Sequence, residues 1–410
     1  MGRSVKNKII FALAISLVLS SCVSQNLSKQ NDNSAYGVFK EGFSAEDKRA
    51  IYVLGPPIGS GWNGQIGRFA SERVKEINKS DDYFAIYLEV ATMSYILDYV
   101  SREINDNKEK IGGFVLAPGD LDFDPIYHKL YAMNIPYAIY NDKSESVNKR
   151  HAMVNIIEDD EQCGAAAAYW MTLRGLTVNT TFAVVYNQDD NRSNAMIDGF
   201  KKYLLGEIDY VDVRYKEVYH IQNPWSQAHV DRLFTKFSGN TRSSFDAANR
   251  YASSHMNTFG NSASRYSGQI FIFSTSDDYS LGFMHGLRKY PHNPETAEVF
   301  DNCYFGIASV GGMQEYIDNI NMIKKPLVDL TSRIDDLMTV YSSPNNVNYA
   351  IDYLILQLQK YKEETGEDVT SDALEKYDGN EKKYGTAIVD TANYDLFIGY
   401  DGGYPKWMVE

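Results

Sequence analysis

The sequence predicts an α/β fold made of two lobes, each a parallel sheet with helices on both faces. Three observations predict it. Short apolar runs alternate with stretches of helical spacing, the pattern of strands buried on both sides between crossover helices. The alternation runs through one cycle and restarts after "HAMVNIIEDD". At 410 residues, 44% of them hydrophobic and 13% aromatic, the chain can bury two ordinary cores.

The elements follow in order. Arg3, Lys6 and Lys8 precede an apolar run over residues 9–19, too short to span a bilayer and suited to a secretory leader. The small residues that follow, ending at Cys22, resemble a bacterial lipobox. That resemblance implies a signal peptide over 1–21, a lipidated Cys22 and a polar tether over 22–45. "AIYVLG", "YFAIYLEV", "IGGFVLAP" and "IPYAIYND" read as strands, and "GQIGRFASERVKEIN", "SYILDYVSREI" and "DPIYHKLYAMN" as the helices between them. The second cycle has strands "TFAVVYN", "VDVRYKEVYHI", "QIFIFSTS" and "CYFGIAS", with a polar insert rich in Ser and Asn over 238–268. A last section adds the helix "SPNNVNYAIDYLILQLQKYKEE" and the late strand "YGTAIVDTA".

Charge and composition narrow the function. A net charge of -14 disfavours nucleic acid and anionic membrane surfaces, so membrane attachment is expected through the lipid alone. Cys163 and Cys303 could pair in an oxidising compartment or remain as two buried thiols. The seven His are scattered without H-E-x-x-H spacing, and no G-x-S-x-G elbow occurs, so neither a metal site, a cofactor nor a catalytic role is expected. The 31 tyrosines, with both an apolar face and a hydroxyl, suit a cleft for a polar ligand.

"LGPPIGSGWNGQIG" carries G-x-G-x-x-G at Gly59, Gly61 and Gly64, the spacing of a dinucleotide turn, and Glu89 stands where a ribose-binding acid would. Pro56 and Pro57 remove amide donors that a phosphate would need, and Trp62 adds bulk where pyrophosphate would pass. At the carboxyl end of a parallel sheet, Trp62 instead offers a flat face to a sugar or ring, with Asn63 as polar neighbour.

"GSGWNGQ", "VLAPGD", "NIPYAIYND", "VNIIEDDEQCGAAAA", "VVYNQDDNRSNAMIDGF", "FIFSTSDDYSLGFMHGLR", "YFGIASVGGMQEYIDNI" and "PLVDLTSRIDDLM" come in the order of corresponding segments in another group of proteins. On them the chain resembles the type I periplasmic binding proteins of bacterial ABC importers, the ribose- and galactose-binding group, over about residues 49–392. The resemblance implies two Rossmann-like lobes, 46–157 plus 328–365 and 158–327 plus 384–402. A three-segment hinge would join them near 155–160, 325–329 and 363–384. It implies ligand contacts from Trp62, Asn63, Asn141 and Asp142 in one lobe. In the other it implies Asn187, Arg192, Asn194, Trp225, Ser276 and Asp277, with Asp278 as a neighbouring alternative, and it places Asp329 on a return crossing. Trp62 and Trp225 would then form a two-sided clamp. Ala308, followed by Ser309, replaces an Asp of the sugar binders and Asp329 replaces a Gln, so the identity of the sugar does not carry over.

The implied protein is a monomeric, lipid-anchored, extracytoplasmic solute-binding protein delivering a sugar-like molecule to an ABC permease. A similarity of "GIASVGGMQEYIDNI" and the long final section to the autoinducer-2 receptor family implies the alternative, a receptor reporting to a membrane sensor kinase.

Overall fold

In the computed structural model, the described residues are 49–59, 61–79, 83–119, 121–144, 146–235, 238–240, 244–266, 268–289, 303–324, 334–342, 344–366, 381–384 and 386–394. The leader, Cys22, the tether and Asp329 lie outside them. Among the described residues no helix is long and apolar enough to cross a membrane.

The chain opens with strand β1 (Ala50–Gly55), buried along its whole length, and helix α1 (Gly61–Ile77), which turns Ile66, Ala70, Val74 and Ile77 inward at helical spacing. β2 (Phe84–Glu89), α2 (Met93–Asn107), β3 (Ile111–Leu116), α3 (Asp124–Ala132), β4 (Tyr137–Tyr140) and β5 (Val154–Glu158) complete the first run. α4 (Asp160–Leu173), β6 (Thr181–Tyr186) and α5 (Asn191–Leu205) begin the second. A hairpin β7 (Tyr210–Asp212) and β8 (Glu217–Tyr219) leads to α6 (Gln227–Thr235) and β9 (Ser238–Asn240). α7 (Phe245–Tyr266), β10 (Gln269–Ser274), α8 (Asp277–Lys289), β11 (Tyr304–Val310), α9 (Gln314–Lys324) and β12 (Asp336–Tyr341) follow. The last elements are α10 (Val347–Thr365), β13 (Glu381–Tyr384) and β14 (Ala387–Asp390).

Two six-stranded sheets result. The first has the order β13-β5-β4-β3-β1-β2, with all of its pairings parallel. The second, β14-β12-β11-β10-β6-β9, is parallel except for the edge strand β14. This is the two-lobed α/β architecture that the alternating pattern predicts.

Three details correct the sequence reading. The return crossing expected at 325–329 falls outside the described residues, and the strand beyond it still belongs to the second lobe. β12 still pairs with β11 in the second sheet, so the chain returns after Tyr341, where α10 packs Leu354 against Gly113 of β3. The tail crosses later than 363–384, because β13 joins the first sheet and β14 the second, which puts the passage between Tyr384 and Ala387. The insert over 238–268 is β9 and the crossover helix α7. Along α7, Ser254, Asn257 and Asn261 face solvent, while Asn249, Ser262, Ala248, Ala252, Met256 and Phe259 are buried. Gly282 and Gly286 of α8 let α7 approach so closely that a Cβ at either would lie 2.2–2.3 Å from a carbonyl oxygen of α7.

Cys163 and Cys303 are free and buried. Burial pushes the Cys163 thiol well above its ordinary value, with Asp160 adding to the shift.

At the amino-terminal edge of the first sheet lies a depression of about 930 Å³, bordered by Arg49, Tyr83, Lys108, Asn134 and Lys362. It faces away from the carboxyl ends of the strands, where ligands bind in open α/β sheets.

Candidate interlobe site

The glycine-rich turn has a packing purpose. A Cβ at Gly64 would lie 2.4 Å from the backbone of Gly59, and one at Gly67 would lie 2.4 Å from the carbonyl oxygen of Pro56. That same carbonyl accepts the Tyr87 hydroxyl at 2.5 Å. The loop therefore folds back on the first turns of α1, which holds half-buried Trp62 at the carboxyl edge of the first sheet. Asn63 turns its amide toward Gly119 of the neighbouring loop, where an added Cβ would lie 3.5 Å from Nδ2.

Facing this edge, α4 and α5 cross at small residues. A Cβ at Gly164 would lie 1.8 Å from the Met196 carbonyl oxygen, and one at Gly199 would lie 2.0 Å from that of Glu161. The crossing brings Arg192, in the first turn of α5, to Asp160, at the start of α4, with Nε–Oδ1 at 3.1 Å. A second guanidinium nitrogen donates to Ser342 Oγ at 3.1 Å, just past β12. The guanidinium carbon lies 4.0 Å from the centre of the Trp62 ring. One side chain of the second lobe thus reaches the first across the junction of the two carboxyl edges.

Further contacts tie the same junction. Lys143, after β4, donates to the Asp160 carboxylate, and Ser342 donates to Glu158 at the end of β5. Glu158 also accepts Asn346 Nδ2 and the Tyr140 hydroxyl, both at 3.0 Å. Burial works against the charge of Arg192, but Asp160 and Glu158 more than offset it and hold the guanidinium above its usual value.

The other expected contacts are distributed differently. Asn141 adopts a left-handed φ of 56°, and its Oδ1 accepts the Glu158 amide at 3.3 Å, so it pins two strand ends together. Asp142 is buried and accepts the Tyr127 hydroxyl at 2.5 Å and the Ser144 amide at 2.7 Å, turned into its own lobe. Asn187 accepts the Asp189 amide, and Asn194 donates to the Gln188 carbonyl, so both shape the loop before α5 while Arg192 alone of the three spans the junction. Ser276 lends its carbonyl to Ser274 and Ser280.

Asp277 is fully buried and accepts Thr339 Oγ1 and the Met313 amide, each at 2.8 Å. Burial pushes its carboxyl up to about 6, against the lowering effect of Ser309, Met313 and Thr339. Asp278 is half-buried and is also raised, by burial and by Glu315.

The expected clamp of two indoles does not form. Trp225 lies on the outer side of the second lobe, in a groove with Tyr169, Tyr219 and Ile221, and its amide donates to the Leu204 carbonyl at 2.7 Å. The segment after β8 runs along the helices rather than over the carboxyl edge of the sheet, which takes this indole away from Trp62. The expected hinge segment over 155–160 contains Glu158 and Asp160 but gave them no partners, and sequence reasoning did not single out Lys143, Ser342 and Asn346. The acidic run "IIEDDEQ" at a strand–helix boundary was the visible signal for Glu158 and Asp160.

No family model and no curated protein matches the chain. Among solved structures, it is similar to an ABC transporter solute-binding protein from Bacillus halodurans C-125 with bound myo-inositol. That match covers 86% of this chain and 98% of the other, with a TM-score of 0.53 and 12% identity. It is similar to a periplasmic solute-binding protein from Actinobacillus succinogenes 130z with bound D-allose, covering 85% and 100%, with a TM-score of 0.53 and 13% identity. It is also similar to a galactofuranose-binding protein, covering 85% and 97%, with a TM-score of 0.51 and 11% identity. The fold is that of the type I periplasmic binding proteins. At these identities the likeness is one of fold. The contact of Trp62 with Arg192 lies between the two lobes of this fold.

Proposed function

We propose that the protein is a solute-binding protein that captures a small polar molecule of the sugar or polyol class between its lobes and delivers it to an ABC permease. The observation that carries this reading is the meeting of Trp62 and Arg192 across the two carboxyl edges, 4.0 Å from guanidinium carbon to ring centre. An indole face supplies apolar burial for a sugar ring, and a planar cation supplies donors to hydroxyls. Contacts contributed by both lobes exist only when they are close together, so solute shifts the population toward the closed form. The leader pattern and Cys22 support an extracytoplasmic, lipid-anchored location.

Isothermal titration against myo-inositol, D-allose, galactofuranose and L-arabinose tests the reading, together with mass spectrometry of any small molecule that co-purifies. Saturable heat with at least one polyol or sugar is the expected result. Absence of binding across the panel, with no polyhydroxylated compound released on denaturation, overturns it.

A further inference from the structure

The contacts across the junction form a linked series. Trp62 belongs to the first lobe, Arg192 and Asp160 to the second, and Lys143 to the first again. Two of these contacts cross between lobes, the indole with the guanidinium and the ammonium with the carboxylate. Asp160 is shared by both cations, and its side chain is only 2% exposed. It also lies in the first turn of α4, where the helix dipole favours its charge.

We infer that this series is an intrinsic latch, in which Arg192 takes the Trp62 face that a solute ring would use and holds the lobes together without help from solute. The inference rests on reading this junction as the solute cleft. The physical case is that Arg192 covers the Trp62 face while Lys143 pairs with Asp160, two contacts that join the lobes. A cation over an indole shifts a two-state balance by roughly two- to thirtyfold, more as water is excluded. The Lys143 pair, 36% exposed on the lysine side, adds a smaller factor that salt can screen. The order of events follows. The lobes part as Arg192 leaves the indole, solute takes its place, and reclosure re-forms the Lys143–Asp160 tie. Apparent affinity is then lower than intrinsic affinity by the fraction of molecules that are unlatched.

Small-angle scattering of the full mature chain in solute-free buffer, after dialysis from denaturant and refolding to strip bound molecules, tests this. Wild-type protein is expected to give the compact radius of gyration of the closed structure. Arg192→Gln and Lys143→Met are each expected to enlarge it, Arg192→Gln more. At about 1 M salt, where the screening length falls to ~3 Å, wild type should expand toward the Lys143→Met value. The salt arm needs no variant to fold. A stripped wild type that is already extended overturns the latch, as do variants and salt that leave a compact curve unchanged. No sugar is present in these measurements, so they succeed or fail independently of the sugar panel.

Discussion

Gly199 of α5 faces the carbonyl oxygen of Glu161 in α4 at a separation that leaves a Cβ only 2.0 Å away. The obstacle is backbone, which cannot swing aside. The two helices meet here because neither carries a side chain at the point of contact, and Gly164 is the reciprocal case. This close crossing sets Arg192 beside Asp160. Gly199→Ala should therefore destabilise the second lobe by about 3 kcal/mol or more, read by urea unfolding, and should weaken solute binding through the displaced Arg192. An unchanged unfolding midpoint would show that the helices are not in contact as described.

Trp62 and Trp225 should behave as different kinds of residue. Trp62→Ala removes the face that meets Arg192 and is expected to reduce solute affinity at least about tenfold. Trp225→Ala lies outside the cleft and should cost stability, about 2 kcal/mol for a partly buried indole, with affinity unchanged. Equal losses of affinity in the two variants would contradict the placement of Trp225 on the outer face.

Asp142 offers a third contrast. Its carboxylate is committed to Tyr127 and to the turn at Ser144. Asp142→Ala should lower stability by about 2 kcal/mol, because a charge-assisted hydrogen bond to a buried hydroxyl is lost, and should leave affinity nearly intact. Titration and thermal melting of one preparation separate the two effects.

Asp277 yields a pH signature. Its folded carboxyl, at about 6, stands above the unfolded value of ~3.9, so the native state binds the proton more tightly. Its contribution to stability is full below pH ~4 and is lost as pH rises through about 6. The loss amounts to about 3 kcal/mol for a shift of about two units. Comparing wild type with Asp277→Asn by denaturant titration at a series of pH values isolates this from other carboxylates. The difference in stability should tilt against wild type between pH about 4 and 6 and level off above. A flat difference would remove the assigned shift.

The sheets were legible because a strand buried on both faces must be apolar throughout, and "AIYVLG" or "QIFIFS" admits no other element of that length. α7 was not, because its Ser and Asn dominate composition while its inward Ala, Met and Phe keep helical spacing only when counted position by position. The crossings after β12 and β13 depend on which sheet edge accepts a strand, a long-range pairing that local pattern does not encode. Trp62 and Arg192 were singled out from sequence by residue type and position, and the structure brings the two side chains together. Asp160 fell within the expected hinge segment but was given no ligand or partner role, because an acid in the first turn of a helix already has a local explanation in the dipole. Asn141 and Asp142 stood at the right strand end, but their side chains were claimed by backbone and by Tyr127, a competition that sequence does not reveal.

Strand β1 begins beside Arg49, on the rim of the depression at the amino-terminal edge of the first sheet. The chain therefore enters the first sheet from the end opposite Trp62, so whatever precedes Arg49 meets this lobe on the side away from the interlobe junction.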